Sequence, residues 1–426
     1  MLRKRYQWFV VIVLFLFLTF HSADLFIISA VNPQLIEEFK VDYATMGFLF
    51  SISLFAATLL YPLWGFLYDK YSRKLLISLA ALIWGSTTWI NALSRVFSQF
   101  FITRILTTID DAAPPGIYSL VADYFEPKDR GKAMGIINAS SPIGAILGTI
   151  IPLTIIGTGL NWRNAFFITG SVGIIISLII YFFIKDVPRG TSEPELSGKL
   201  VSDIYKVKLS DLKIILKNKS LLLLYAQGFF GVFPWNALTF WVITHMAVER
   251  KFSSELIMIV MIVFLLAMII GNIIAGYLSD FLFKKTKRGR AMFGAIVVFF
   301  SALLIYLAMY SETFESFLFF GVLTAFEIPM AGPSVSAAIT DVTEPELRGS
   351  ATAYLRFFEN IGSSISPALV GIISMSSTLQ FSITLISSLT WIICGILFVF
   401  LTLVIPSDID RLRAVMKKRA EELIKS

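Results

Sequence analysis

Asp123-Tyr-Phe-Glu-Pro-Lys-Asp-Arg-Gly-Lys-Ala133 returns, 218 residues further on, as Asp341-Val-Thr-Glu-Pro-Glu-Leu-Arg-Gly-Ser-Ala351. Six of the eleven positions are identical: the Asp, the Glu-Pro pair, the Arg-Gly pair and the final Ala. Each copy follows one long apolar run and precedes another. A second pair of segments keeps nearly the same offset. Gly65-Phe-Leu-Tyr-Asp69 is followed by Lys70, Arg73 and Lys74, and Gly276-Tyr-Leu-Ser-Asp280 by Lys284, Lys285, Lys287 and Arg288. One such match can arise by chance, but matched loops in register point to a duplicated chain.

Working outward from these loops, the apolar runs fall at 8–31, 44–68, 74–93, 98–123, 132–156 and 164–184, then at 220–246, 255–280, 291–310, 316–340, 350–373 and 379–405. Each is long enough to cross a hydrocarbon core of about 30 Å as a helix. The alternating segments of roughly ten residues that a spanning β-barrel needs are absent from the sequence. The reading is an all-α polytopic membrane protein of twelve spans, built as two pseudo-symmetric six-helix bundles. The expected divisions are an N-terminal bundle at 1–185, a linker at 186–219, a C-terminal bundle at 220–406 and a tail at 407–426. The linker follows from Lys185–Lys219, which holds eight Lys/Arg, five Asp/Glu, Pro188 and Pro194.

Composition agrees with this. Apolar residues make up 56% of the 426 and charged residues only 15%, against about a quarter charged in soluble domains. The single cysteine, Cys394, excludes an intrachain disulfide. Two histidines, His21 and His245, are too few and too distant in sequence for a metal site, so no metal is expected. Met1–Arg5 and the run behind it resemble a signal peptide, but no Ala-x-Ala-like site interrupts the run, so it reads as a retained first span.

Placing the N-terminus inside puts 29 of the 36 Lys/Arg on the cytoplasmic side. That bias predicts cytoplasmic N- and C-termini in a multi-pass protein of the cell membrane. It also accounts for the net charge of +7 without a nucleic-acid partner. The expected partners are the lipid bilayer and a small-molecule substrate, with the chain working as a monomer. The tail Asp408–Ser426 reads as an amphipathic charged helix, either resting on anionic headgroups or solvated.

The repeated loops read as latches. Gly65 and Gly276 would let helices approach closely. The aspartates Asp69, Asp123, Asp280 and Asp341 stand near helix N-termini, whose dipoles favour them. Arg130 and Arg348 offer planar forks to pair with them, and Arg73 belongs to the same set. The bland alternative is that these loops only stop helices.

Gly65-x-Leu67-x-Asp69-Lys70-x-x-Arg73-Lys74 resembles the signature between spans two and three of the major facilitator superfamily. The Asp123 to Arg130-Gly131 pattern, and Trp162-Arg163 with Phe166, are similar to that superfamily too. The resemblance runs the length of the chain. It implies a central cavity lined by spans one, four, seven and ten, inverted three-helix repeats within each bundle, and alternating access. In the second copy, Phe281 and Leu282 stand in place of the first basic positions.

Ionisable groups inside spans are costly and mark function by default. Asp24 lies in span one, with His21 one turn earlier. Arg104, Asp110 and Asp111 lie in span four, Glu327 mid-span ten, and Arg356 and Glu359 in span eleven. The repeat offset aligns Glu327 beside Asp110. A desolvated carboxylate can bind and release a proton near neutral pH, and an arginine can expel it. The competing reading is a structural ion pair, Asp111 with Arg104 or Arg356 with Glu359. Pro114-Pro115-Gly116 and Pro329 with Gly332-Pro333 predict breaks at matching places in spans four and ten. Pro142, Gly144 and Gly148 predict close packing or a bend in span five. Trp235 and Asn236, beside Pro234 in span seven, are placed to touch a substrate.

Arg104 with Asp110-Asp111-Ala112, and Asp24, more loosely resemble patterns of the anion:cation symporter and Spinster-like families. Leu25 replaces the arginine of the first-span pattern, and Thr108 and Asp110 replace two glycines. Losing that arginine points away from a strictly anionic substrate bound in the symporter manner, and toward proton coupling or a cationic or amphipathic solute. The sequence therefore predicts a secondary transporter of a small organic solute, driven by a proton or other ion gradient and needing no cofactor. An uncoupled facilitator and a non-transporting solute receptor are the alternatives. Nothing in the sequence resembles a nucleophile–base arrangement or a nucleotide-binding loop, so no enzymatic activity is expected.

Overall fold

The structure, a computed structural model, describes residues 4–110, 114–125, 127–187, 217–344 and 347–425. Every regular element among them is helical. The first half comprises α1 (Lys4–Ala30), α2 (Asn32–Phe39), α3 (Tyr43–Lys70), α4 (Arg73–Leu93), α5 (Phe97–Thr107), α6 (Pro114–Tyr124), α7 (Pro127–Gly157) and α8 (Arg163–Phe183). The second comprises α9 (Lys219–Thr244), α10 (Ser254–Lys285), α11 (Gly289–Met309), α12 (Phe314–Glu327), α13 (Ala331–Val342), α14 (Arg348–Ser374) and α15 (Leu379–Lys425). The chain is an all-α membrane protein whose twelve passes correspond to α1–α2, α3, α4, α5–α6, α7 and α8, then α9, α10, α11, α12–α13, α14 and α15.

Ten of these passes are long and apolar enough to be recognised as spans by length and composition among the described residues. The other two depart for physical reasons. Span four is divided into α5 and α6, each 11 residues, by a tight turn at Thr108–Asp110. Span eleven, α14, has the length at 27 residues but carries a polar stripe. The matching turn in span ten, Ile328–Met330, separates α12 from α13. Both breaks stand where the sequence places its prolines, which remove a backbone donor and clash with the preceding turn. Trp64 of α3 donates its indole N–H to the Ile109 carbonyl at the first break (2.5 Å).

The chain divides into two compact units. One holds the described residues up to 187 together with Thr239–Ile262; the other holds 217–238 and Val263–Lys425. In the first unit α1 lies against α7, backbone to backbone. A Cβ added at Gly144 would strike the Thr19 carbonyl, and one at Gly148 the Ala23 carbonyl, the close approach that small residues permit between spans. Trp84, Phe17, Ile77 and Ile180 fill the core where α4 and α1 pack on α8. Asp42 caps α3 through the Thr45 amide (2.7 Å). Hydrogen bonds from the Thr45 side chain and amide hold its carboxyl below the usual aspartate range.

In the second unit, α11 packs along α15, and an added Cβ at Gly362 of α14 would strike the Phe229 carbonyl of α9. The expected separate tail is a direct continuation of the last span. α15 runs 47 residues through Pro406, with Asp408, Ile409 and Leu412 buried. Asp408 accepts from the Ser220 amide (3.0 Å) and hydroxyl (2.7 Å), satisfying donors at the start of α9.

Candidate functional site

Two polar assemblies sit inside apolar passes, one in each unit. In the first, Asp24 of α1 and Arg104 in the last turn of α5 form a buried ion pair. Only 4% of Asp24 and 7% of Arg104 is exposed. Thr88 of α4 approaches the other carboxylate oxygen (3.5 Å). Beside this pair, the fully buried Asn91 accepts from Thr103 (2.6 Å) and donates to Thr107 (3.2 Å). The ring of His21 lies half-buried between Phe17 (5.8 Å) and Trp84 (6.1 Å). Arg104 thus pairs with Asp24; the Asp111–Arg104 pair that the sequence left open involves a residue that the structure does not describe. Asp111 lies outside the described residues; Asp110 closes the turn after α5. Asn91 and Thr103 went unnoticed in sequence because amides and hydroxyls in a span carry no charge signal.

In the second unit, Glu327 is the last residue of α12, before the break, half-buried and within 3.3 Å of the Ser301 hydroxyl of α11. On α14, Arg356 donates to Glu359 (2.9 Å). Asn236 of α9 donates to Ser363 (3.0 Å) and to the Val232 carbonyl (2.8 Å), and Ser366 reaches the Phe233 carbonyl (2.7 Å). Trp235 is half-buried beside Asn236. Tyr225 is buried against Tyr354 and Phe358, and its hydroxyl has no hydrogen-bond partner among the described residues.

The repeated loops form ion pairs, through Arg73 of the expected set in the first copy and, in the second, through Arg290, which the sequence did not single out. Arg73, the first residue of α4 and almost fully buried, donates to Asp123 (2.5 Å), to Ser119 (2.8 Å) and to the Val187 carbonyl (2.8 Å). Arg290, near the start of α11, pairs with both Asp341 and Asp280 (2.9 Å to the latter). Arg73 and Arg290 are 217 residues apart, within one residue of the 218-residue repeat offset. Arg290 was hidden in sequence by the basic cluster Lys284–Arg288 just before it. Arg348 is exposed at the start of α14. The side chains of Asp69 and Arg130, and that of Gly65, lie outside the described residues. An added Cβ at Gly276 would meet nothing within 4 Å among the described residues, so that glycine makes no close helix approach to any of them.

A further assembly, absent from the sequence reading, holds the far end of α9 inside the first unit. Ser29 donates to the Thr239 carbonyl, and Asn32 to the Thr244 hydroxyl (2.8 Å). Phe50 stacks on Phe240 (4.5 Å), and Tyr43 meets Trp241 edge-on (5.7 Å). The fully buried His245 bonds Glu249 through Nδ1 (2.7 Å) and accepts from Arg250 through Nε2 (3.1 Å).

Comparisons with known proteins agree with this architecture. The hexuronate transporter of Bacillus subtilis is 27% identical over 85% of this chain and 87% of its own length. Protein spinster of Drosophila melanogaster is 26% identical over 87% of this chain, which spans 62% of that protein. The probable galactarate/D-glucarate transporter of Escherichia coli is 23% identical over 87% of this chain and 88% of its own. Among solved structures, a bacterial homologue of the human lysosomal transporter Spinster, inward-facing and unoccupied, superposes with a TM-score of 0.84 at 18% identity, covering 95% of this chain and 99% of its own. A D-xylose–proton symporter gives 0.74 at 14% identity, covering 92% and 97%. The sequence profile of the Major Facilitator Superfamily matches residues 14–305 and again 228–423, and the chain belongs to that superfamily.

Proposed function

We propose that this superfamily transporter moves a small organic acid across its membrane by alternating access, coupled to protons. The observation that carries the reading is the buried pair Asp24–Arg104 within an apolar bundle. Two charges removed from water cost more than most packing alternatives return, and ionisable groups survive inside spans where solutes or protons pass. A guanidinium within reach of an exchangeable carboxylate supplies the two elements of coupling: a site that binds a proton and a cation that displaces it. Glu327, at the helix break in the other unit, adds a second acid, held near the Ser301 hydroxyl.

The substrate class rests on the relatives. Two of those named above carry sugar acids by name, and a third relative, from Acinetobacter baylyi, is a cis,cis-muconate transport protein. These support an anion, against the cationic or amphipathic solute that the loss of the first-span arginine suggested. Alternating access would release α9 from Ser29, Asn32 and Phe50, contacts made of few hydrogen bonds and ring faces that can re-form.

The test is uptake of D-glucuronate and galactarate into proteoliposomes with and without an inward proton gradient. Accumulation only with the gradient supports coupled transport. Equal flux with and without it would leave an uncoupled facilitator, and binding without flux a receptor.

A further inference from the structure

α14 is amphipathic inside the membrane, and its polar side holds an arginine left largely exposed among the described residues. At about 100° per residue, Thr352, Arg356, Glu359 and Ser363 fall on one side of the helix. The exposed apolar residues Phe357, Ile365 and Ile372 fall on the opposite side, where lipid belongs. The polar side turns toward α9. Ser363 is bonded to Asn236 there, and Glu359 lies against Gly228. Within this stripe 69% of the Arg356 side chain is exposed, against 18% for Glu359. An arginine so exposed within a span, on the side away from lipid, faces a water-filled space.

Resting on the reading of this chain as an organic-acid carrier, we propose that Arg356 is the substrate-carboxylate receptor and that Glu359 is the internal carboxylate the substrate displaces. The guanidinium is a planar fork that takes one two-oxygen head at a time. In this structure Glu359 supplies that head. An incoming carboxylate competes for the same N–H groups and reaches them from the exposed side. Among the described residues Arg356 is the charged group paired with Glu359, and the phenol rings of Tyr225 and Tyr354 stack on one another nearby. Once displaced, Glu359 would be a half-buried carboxylate without a cation, and it takes up one proton from the water of the cavity. One anion and one proton therefore enter together, and both leave when Glu359 returns to Arg356. The hydroxyls and amides of Thr352, Ser363 and Asn236 beside the fork suit a hydroxylated acid better than an apolar one. This arginine also restores to the chain the cation that Leu25 removes from the first span.

The experiment uses the purified full-length protein, titrated with D-glucuronate, D-glucose and hexanoate. Proton uptake is read from calorimetry in buffers of different ionisation enthalpy. The wild type is expected to bind glucuronate with uptake of one proton, and glucose and hexanoate weakly. Arg356→Gln should weaken glucuronate about tenfold or more, the factor for a lost charge-assisted bond pair. Arg356→Lys, which keeps the charge but not the fork, should lie between and covers the case where the glutamine variant does not fold. Glu359→Gln should bind glucuronate without proton uptake and with an affinity independent of pH. Wild-type affinity in both Arg356 variants, or unchanged proton uptake in Glu359→Gln, would overturn the assignment while leaving organic-acid transport intact. No binding or uptake of any acid by the wild type would overturn both.

Discussion

Arg104 of α5 donates to the carboxylate of Asp24 in α1, and both side chains are almost wholly withdrawn from solvent. The two residues are 80 positions apart in sequence and belong to different helices. Removing one partner strands the other as a lone buried charge, at a cost of about 3–5 kcal/mol. Asp24→Asn and Arg104→Gln should each lower the melting temperature of the purified protein sharply. The double variant should recover much of that loss, because no charge is left uncompensated, yet fail to accumulate substrate against a gradient. Additive losses in the double variant would show that the pair is not coupled.

Arg290 tests the reassigned latch. Its guanidinium joins Asp280 and Asp341, whereas Arg348 is exposed at the start of α14. Arg290→Gln should cost about 1.5–3 kcal/mol, the range for hydrogen bonds to charged groups. Arg348→Gln should stay within about 0.5 kcal/mol. Chemical or thermal unfolding in detergent separates these outcomes, and the reverse ranking would restore Arg348 as the partner.

Two glycines from the same sequence argument should behave differently. Gly148→Ala forces a methyl into the Ala23 backbone of α1 and should cost about 1–3 kcal/mol through overpacking. Gly276→Ala meets nothing within 4 Å; it exchanges glycine for a better helix former and should be neutral or stabilising by up to about 1 kcal/mol. Paired melting curves of the two variants decide this.

Asp42 carries a pH signature outside the membrane-spanning segments. Its folded pKa is lowered by the Thr45 hydrogen bonds. Its contribution is therefore complete above the ordinary aspartate value near 4 and is lost as pH falls through the lower folded value. Asp42→Ala should cost about 1 kcal/mol at neutral pH, as lost N-caps do. The gap between variant and wild type should close in acid. A gap that persists at pH 2 would mean the cap acts by packing rather than charge.

Much of the fold was legible in the residues alone. Twelve apolar runs and two repeated loop pairs are local signals, readable because a span must satisfy its backbone within itself. Pro114 and Pro329 announced the breaks in spans four and ten for the same reason. Span eleven was read directly as the apolar run 350–373, although the polar stripe on α14 lowers its mean hydropathy. Partner choice was less legible. The sequence offered Arg104 to Asp111 and set Arg130, Arg348 and Arg73 beside the loop aspartates as a group; the structure joins Arg104 to Asp24, Arg73 to Asp123 and Arg290 to Asp341. A charge declares its sign along the chain but not its neighbour across helices.

The sequence by itself determined that this protein crosses a membrane as paired six-helix halves, since hydropathy and duplication are properties of the linear chain. Tertiary structure alone decided that Arg104 belongs to Asp24, that Arg290 joins two aspartates, that the tail braces α9 through Asp408, and that Arg356 stands open on the polar side of α14. Those outcomes depend on how helices are rotated and set against one another, and that is settled by packing at positions such as Gly148 and Gly362, where backbones touch.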